Sequence, residues 1–358
     1  MIFKKFKGEI TMSKVSMTQI AEKLGVSKSL VSLALSNKYG VNDQTRFKIY
    51  IEAIKMGFDF QTIRSLNEKN EKYMISIYIK QIDLITERFW PEILSGIEKS
   101  LSRMNYRMKT HVWDNNDSED ELLVSVAQGG SDGVIIISEL PKNVLIGLKK
   151  MNVPTVIVDS KEYYDGLFDN VRVNNYLGGY LVAEYLTKMG HKKLGFVGSI
   201  YHSVSFRERY QGFMDYFQNN SIIVDVKKAI SKAKNSPEND FLFVTEDLSF
   251  MLEEDHPTAI FCANDVIAAM VYDKINQLGY RIPEDISVIG FDNVYVTNAY
   301  KPRLTSVNIN KKEVGEQAVK LILNRINFPE KITQSILLGV EIDEKKSVYD
   351  LNKTGIDE

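Results

Sequence analysis

Residues 22–36 read EKLGVSKSLVSLALS, and the spacing inside this stretch decides what the N-terminal end of the chain is. Just upstream, Ser16 and Gln19 make a capping box, and Ile20, Ala21 and Leu24 then fall on one face of a helix that Gly25 ends. Ser27, after the turn Gly25–Val26, is the next good N-cap. Beyond it Val31, Ala34 and Leu35 recur at helical spacing, the buried side of a second helix. Two capped helices joined by a short turn containing Gly make the helix-turn-helix pattern, with a generic helical hairpin as the alternative. A third helix is expected from Asn42, with Ile49, Ala53 and Met56 inward and Gly57 at the C-cap position.

With the inward positions fixed, the outward face of the second helix consists of Lys28, Ser29, Ser32, Leu33 and Ser36. In a helix-turn-helix the N-terminal half of this helix enters the major groove. Lys28 can reach guanine acceptors or phosphate, and Ser29 and Ser32 can bond to bases or phosphates without strong preference. Leu33 has no hydrogen-bonding group, so facing DNA it contacts a thymine methyl or excludes water. Charge agrees with this placement. Residues 1–69 hold twelve Lys/Arg against six Asp/Glu, whereas the whole chain holds 45 against 47. A basic end on an acidic body is what phosphate contact by one end alone requires.

The chain has 358 residues, 44% hydrophobic and 26% charged, enough for two or three domains with cores of their own. Its single cysteine, Cys262, excludes a disulfide framework and fits a reducing compartment, the cytoplasm being the simplest. The opening MIFKKFKGEI is followed by no apolar run of signal-peptide length, and no stretch approaches the ~18 apolar residues of a membrane span. Met12 is a second candidate start.

Residues 1–60 form the helical module, and Gln61–Lys72, polar and poor in apolar residues, form a linker. From Tyr73 to about residue 350 short β-branched runs alternate with amphipathic segments: YMISIYI, DGVIIIS, VPTVIVD, LGFVGS, TAIFCAND and DISVIGFDN. Strand and helix alternating at this spacing mean parallel sheets covered on both faces. Nearly all these runs end in polar residues, among them Asp159, Ser199, Asn264, Asp265, Asp292 and Asn293. Ligands of open parallel sheets bind beyond the carboxyl ends of the strands, although any one such residue can equally cap the next helix.

Catalysis has little support. His111, His191, His202 and His256 lack metal-ligand spacing, and GxGxxG, GxxxxGK[ST] and GxSxG are absent. Neither a metal nor a cofactor is expected, and no enzyme activity.

At residues 17–58, MTQIAEKLGVSKSLVSLALSNKYGVNDQTRFKIYIEAIKMGF, the chain resembles the lactose-repressor (LacI/GalR) family of transcription regulators. VNNYLGGYLVAEYLTKMGHKKLGFVG, RYQGF, FCANDVIAAM, RIPEDISVIGFDNV and KPRLTSVNI follow in the family's order, so the resemblance covers about residues 15–345. It implies an all-α helix-turn-helix headpiece, a hinge, and an α/β core of two similar parallel-sheet subdomains like the periplasmic binding proteins. The N-subdomain would comprise about 73–172 plus 309–335, and the C-subdomain about 173–308 plus 336–350.

The resemblance further implies a homodimer on a near-palindromic double-stranded DNA operator, acting as a repressor of carbohydrate-related genes. Lys28, Ser29 and Leu33 match base-reading positions, and Ser16, Ser27, Ser32, Asn37 and Thr45 match positions that contact or order the backbone. Leu33 replaces the family's usual arginine. The hinge FDFQTIRSL lacks the family's proline and is one residue shorter, while Leu66 matches the leucine that wedges into the minor groove. Trp90, Asp159, Arg209, Asn264 and Asp292 match effector-binding positions, Ser205 is a weaker candidate, and Ile309 stands where a polar contact is often found. Indole, guanidinium, carboxylates and amide suit a sugar or sugar derivative, or a nucleobase or nucleoside. Other readings are Trp90 in the subdomain core, Arg209 paired to Glu208 or another surface carboxylate, and Asp292 as a helix cap. His191 matches a structural position. A solute-binding protein shares the core fold but would have an export signal and no basic headpiece. The C-terminus has no apolar heptad, so a dimer is expected rather than a coiled-coil tetramer.

Overall fold

Strands form where β-branched and aromatic residues run unbroken, and the runs Gly133–Ile137, Ala259–Cys262 and Ser287–Asp292 are buried along their whole length, as parallel strands covered on both faces must be. The computed structural model describes residues 15–60, 73–229, 251–252, 256–294 and 300–355, apart from 87–88, 161, 163, 165 and 202. The hinge and Leu66 lie outside the described residues.

Three helices, α1 (Met17–Leu24), α2 (Lys28–Leu35) and α3 (Asp43–Met56), make the headpiece. Both halves of the Ser16–Gln19 capping box form, and Gly25 closes α1 in the left-handed conformation at φ 67°. Ser27 caps α2 by accepting from the Leu30 amide, and Asn42 caps α3 by accepting from the Thr45 amide at 2.8 Å. Ile20, Val31, Ala34, Ile49 and Ala53 meet in the small core.

The first sheet of the body contains β1 (Met74–Lys80), β2 (Arg107–Trp113), β3 (Gly133–Ile137), β4 (Thr155–Val158), β5 (Asp169–Val173) and β11 (Ser335–Leu338), all parallel, in the order β11-β5-β4-β3-β1-β2. Helices α4 (Gln81–Thr86), α5 (Phe89–Arg103), α6 (Glu119–Gln128) and α7 (Lys142–Lys150) connect its strands. The second sheet contains β6 (Lys193–Val197), β7 (Asp225–Ala229), β8 (Ala259–Cys262), β9 (Ser287–Asp292), β10 (Thr305–Asn308) and β12 (Glu341–Asp343), in the order β12-β10-β9-β8-β6-β7. Helices α8 (Asn175–Lys188), α9 (Val204–Asn219) and α10 (Asp265–Gln277) belong with it, and α11 (Lys311–Asn327) returns to pack on α5. The all-parallel expectation needs one correction, since the edge strand β12 runs antiparallel to β10.

The chain therefore crosses between the sheets three times: after β5, after β10, and between β11 and β12. The last crossing falls at residues 339–340, later than the boundary at 335/336 read from the sequence, because Ser335–Leu338 pairs with β5 as a sixth strand of the first sheet. Close helix packing fixes the second unit. A Cβ on Gly179 of α8 would stand 1.9 Å from the Arg209 carbonyl, and one on Gly212 of α9 would stand 1.9 Å from that of Tyr176, so both positions need glycine. Among the described residues no helix is long and apolar enough to cross a membrane.

Candidate functional site

Strands β3 and β4 end in step, with Ile137 paired to Val158, so that Ser138 and Asp159 emerge side by side at the carboxyl edge of the first sheet. Both have left-handed backbones, at φ 67° and 46°, and across the cleft Asp292 at the end of β9 stands at φ 99°. Such conformations are strained for non-glycine residues and persist where surrounding structure holds them, often at ligand sites.

Arg209 comes from the second turn of α9, whose N-cap Ser203 accepts from the Phe206 amide. Its guanidinium is buried and reaches three ways: Nε donates to Asn175 Oδ1 at 2.8 Å, one terminal nitrogen to the Ala263 carbonyl at 2.6 Å, and the other to Asp292 Oδ1 at 3.0 Å. The Phe291 ring lies 3.7 Å from its Cζ. Arg209 is thus paired to Asp292, while Glu208 pairs with Arg172. Burial pushes the Asp292 carboxyl above the usual carboxylate range, although the charges of Arg209 and Lys311 pull the other way.

Asp159 is treated differently by the fold. Its carboxylate has no hydrogen bond or ion pair among the described residues. Burial raises its pKa to about 6, with the Asp292 and Glu208 charges adding and those of Arg209 and Arg172 opposing. Trp90, in the first turn of α5, lies edge-on to Phe89 at 4.9 Å, and its buried Nε1 is without a partner among the described residues. Ser138 Oγ is buried and, among the described residues, has no partner either. Orphaned buried polar atoms are uncommon enough that each calls for an explanation.

All six effector candidates, Trp90, Asp159, Ser205, Arg209, Asn264 and Asp292, line one cleft that opens to solvent. Asn264 also caps α10, its Oδ1 accepting from the Ile267 amide at 2.9 Å. Phe89, Ser138, Ser203 and Phe206 complete the wall and were not singled out by sequence. Ser138 closes an apolar strand run like the other strand-end residues, and that was the available signal. Ile309 is buried and is not part of the lining.

In the headpiece, Lys28 and Ser29 are exposed, Ser32 and Leu33 half-buried, and Asn37 follows α2 with φ 54°. Ser16 and Ser27 use their hydroxyls as caps, and Thr45 gives its amide to Asn42. The sequence reading missed Arg46, counted there only as surface charge. Its guanidinium donates to the carbonyls of Ala34 at 2.8 Å and Lys38 at 2.6 Å, closing the C-terminal end of α2 against α3.

His191 and Cys262 are buried in the second unit. His191 Nε2 donates to the Tyr349 carbonyl at 3.0 Å, and burial pushes its pKa down to about 4. Cys262 is buried with its thiol pushed up, again by burial. No group of His, Cys, Asp or Glu among the described residues could hold a metal ion.

A profile of the periplasmic binding protein-like domain matches residues 183–348. The HTH-type transcriptional repressor PurR of Mannheimia succiniciproducens is 28% identical over 340 residues, covering 93% of this chain and 98% of its own. A LacI family transcriptional regulator from Enterococcus faecium, with bound ribose, matches at TM-score 0.66 and 26% identity over 78% of this chain and 99% of that one. Over nearly its whole length the chain is similar to transcription regulators of the LacI family. Its fold also matches the lac repressor dimer bound to operator and the anti-inducer ONPF, at TM-score 0.65 and 21% identity over 94% of this chain and 100% of that one.

Proposed function

We propose that this chain is a cytoplasmic, ligand-responsive repressor that binds a near-palindromic operator as a homodimer and takes a sugar or sugar derivative in the cleft between its two sheets. The observation that carries the reading is the set of unanswered polar groups on one wall: the Trp90 N–H, the Ser138 hydroxyl and the Asp159 carboxylate. A free carboxylate accepts from vicinal hydroxyls, an indole N–H donates to a ring or hydroxyl oxygen, and Phe89 and Phe206 cover an apolar ring face. A neutral polyol answers all of these at once. The ribose bound in the Enterococcus faecium regulator supports the same class.

Regulation follows as linkage. A ligand that closes the cleft changes DNA affinity only if it binds the DNA-competent and DNA-incompetent states unequally, a coupling of about 1–3 kcal/mol in typical systems. On the DNA side Lys28 and Ser29 read or position, and Leu33 supplies an apolar contact in place of an arginine. The test is selection of bound duplexes from a random pool at fixed salt, followed by titration of aldoses and nucleobases against the selected site. A palindromic consensus whose affinity changes at least about fivefold with an aldose supports the reading. A response to a nucleobase alone would replace the sugar assignment, and no enrichment by folded protein, with or without these ligands, would remove sequence-specific binding.

A further inference from the structure

Helix α3 is buried on more sides than a three-helix headpiece can cover. Ile49, Ala53 and Met56 form the stripe that meets α1 and α2, and the Tyr50 hydroxyl donates to the Leu35 carbonyl at 3.0 Å. Ile51 lies on the opposite side of α3 from Ile49 and Met56 by helical period, yet only 8% of it is exposed, and Ile54 is buried too. The cover is the N-subdomain of the same chain, where α3 packs on α6 and α7. Headpiece and N-subdomain residues share one apolar cluster, in which Ile51, Ile54, Leu123, Val126, Val144 and Leu148 take part.

The chain leaving the headpiece reinforces this seat. Phe58 and Phe60 are both buried, Phe60 stacks on Tyr50 at 5.8 Å with rings 5° from parallel, and Phe58 meets Phe60 edge-on at 5.3 Å. Phe60 stands in the hinge segment that lacks the family's proline, so the departure noted in the sequence is an aromatic anchor in the structure. Lys28 and Ser29 remain exposed with the seat made, so it leaves the reading face free.

The seat also adjoins the cleft. Ser138 is three residues before Pro141, the N-cap residue of α7, and the intervening Leu140 is buried in the shared cluster while Glu139 is held by Lys80 at 3.0 Å. We propose that the headpiece is a seated layer of its own N-subdomain, α3 being clamped between α1–α2 and α6–α7, and that cleft occupancy reaches α2 through the Ser138–Pro141 segment and α7. The second half rests on the effector reading above; the seat does not.

Backbone ¹⁵N relaxation on the full-length chain, without DNA or ligand, tests the seat. Headpiece amides should relax at the rate of the core amides, and Ile51→Asp should make them relax severalfold more slowly in the transverse dimension, as a small unit on a tether. Independent tumbling in the wild type overturns the seat, as does an Ile51→Asp headpiece that keeps its shift dispersion and still tumbles with the core. If Ile51→Asp collapses that dispersion, the uncharged variant Phe60→Pro decides by the same readout. D-ribose added to the wild type should then shift α7 and α3 amides together, and in the released variant α7 alone. Movement of α7 without α3 in the wild type overturns the coupling. If ribose and the other aldoses leave every cleft signal in place, the effector reading fails while the relaxation result stands.

Discussion

Asp159 and Asp169 sit on neighbouring strands of one sheet and are treated in opposite ways. Asp169 opens β5, is 2% exposed, and receives Arg325 through Nε at 2.6 Å and a terminal nitrogen at 2.9 Å, with the Gln334 amide at 2.7 Å. Asp159 follows β4 at the other edge, on a left-handed backbone, and its carboxylate receives nothing among the described residues. A fold that answers one carboxylate so completely and leaves its neighbour bare has separated scaffold from site. The satisfied group holds β5 to the end of α11; the bare one, with Trp90 and Ser138, faces the cavity.

The largest effect is expected at the Asp169 ion pair. Arg325→Met leaves the Asp169 charge buried without its partner, so urea unfolding should show a loss of about 3–5 kcal/mol. Ligand affinity in the remaining folded protein should be unchanged, and a stability change under about 1 kcal/mol would show that Asp169 is no better served than Asp159.

Asp159→Asn should act in the opposite sense. Its folded pKa of about 6 lies above that of an unfolded aspartate, so the folded chain holds the extra proton between the two values. The stabilisation belonging to the neutral form is full at low pH and is lost as pH rises through about 6. The amide removes that loss, so the gain in Tm over wild type should be larger at pH 8 than at pH 5. Sugar affinity should fall about 10- to 100-fold, the usual effect of losing a hydrogen bond to a charged group. For the wild type, affinity should decline as pH drops below about 6, because a protonated Asp159 accepts less well. A pH-independent affinity would place the ligand away from Asp159.

Much of this was legible in sequence, for a physical reason. Strand-end residues are set by a period of two and by parallel pairing, so Asp159, Asn264 and Asp292 could be placed at the cleft before their partners were known. Helix caps are equally local, and Ser16, Ser27 and Asn42 act as the sequence indicates. What was not legible depends on contacts distant along the chain. Nothing near Arg209 states that it pairs with Asp292, 83 residues away, rather than with its neighbour Glu208. Arg46 looks like surface charge because the carbonyls it closes belong to another helix, and the second apolar face of α3 looks like surplus core until α6 and α7 cover it.

Smaller effects sharpen the two functional faces. Trp90→Phe keeps the ring and removes the N–H, so affinity should drop by about 3- to 10-fold in calorimetry, and an unchanged value would return Trp90 to a packing role. Lys28→Ala should reduce the slope of log affinity against log salt by about one if Lys28 meets phosphate. An unchanged slope would assign it to a base contact or to none.

The most direct test uses the two indoles of the chain. Trp90 and Trp113 both have a buried Nε1 without a partner among the described residues, but only Trp90 lines the cleft with Asp159, so the two N–H signals report separately on ligand binding and on the rest of the N-subdomain. An aldose that alters DNA affinity should move the indole signal that Trp90→Phe deletes downfield, and leave that of Trp113 nearly in place. An aldose that alters DNA affinity and leaves the Trp90 signal where it was would contradict the account, because the wall of unanswered groups would then not be where the ligand sits.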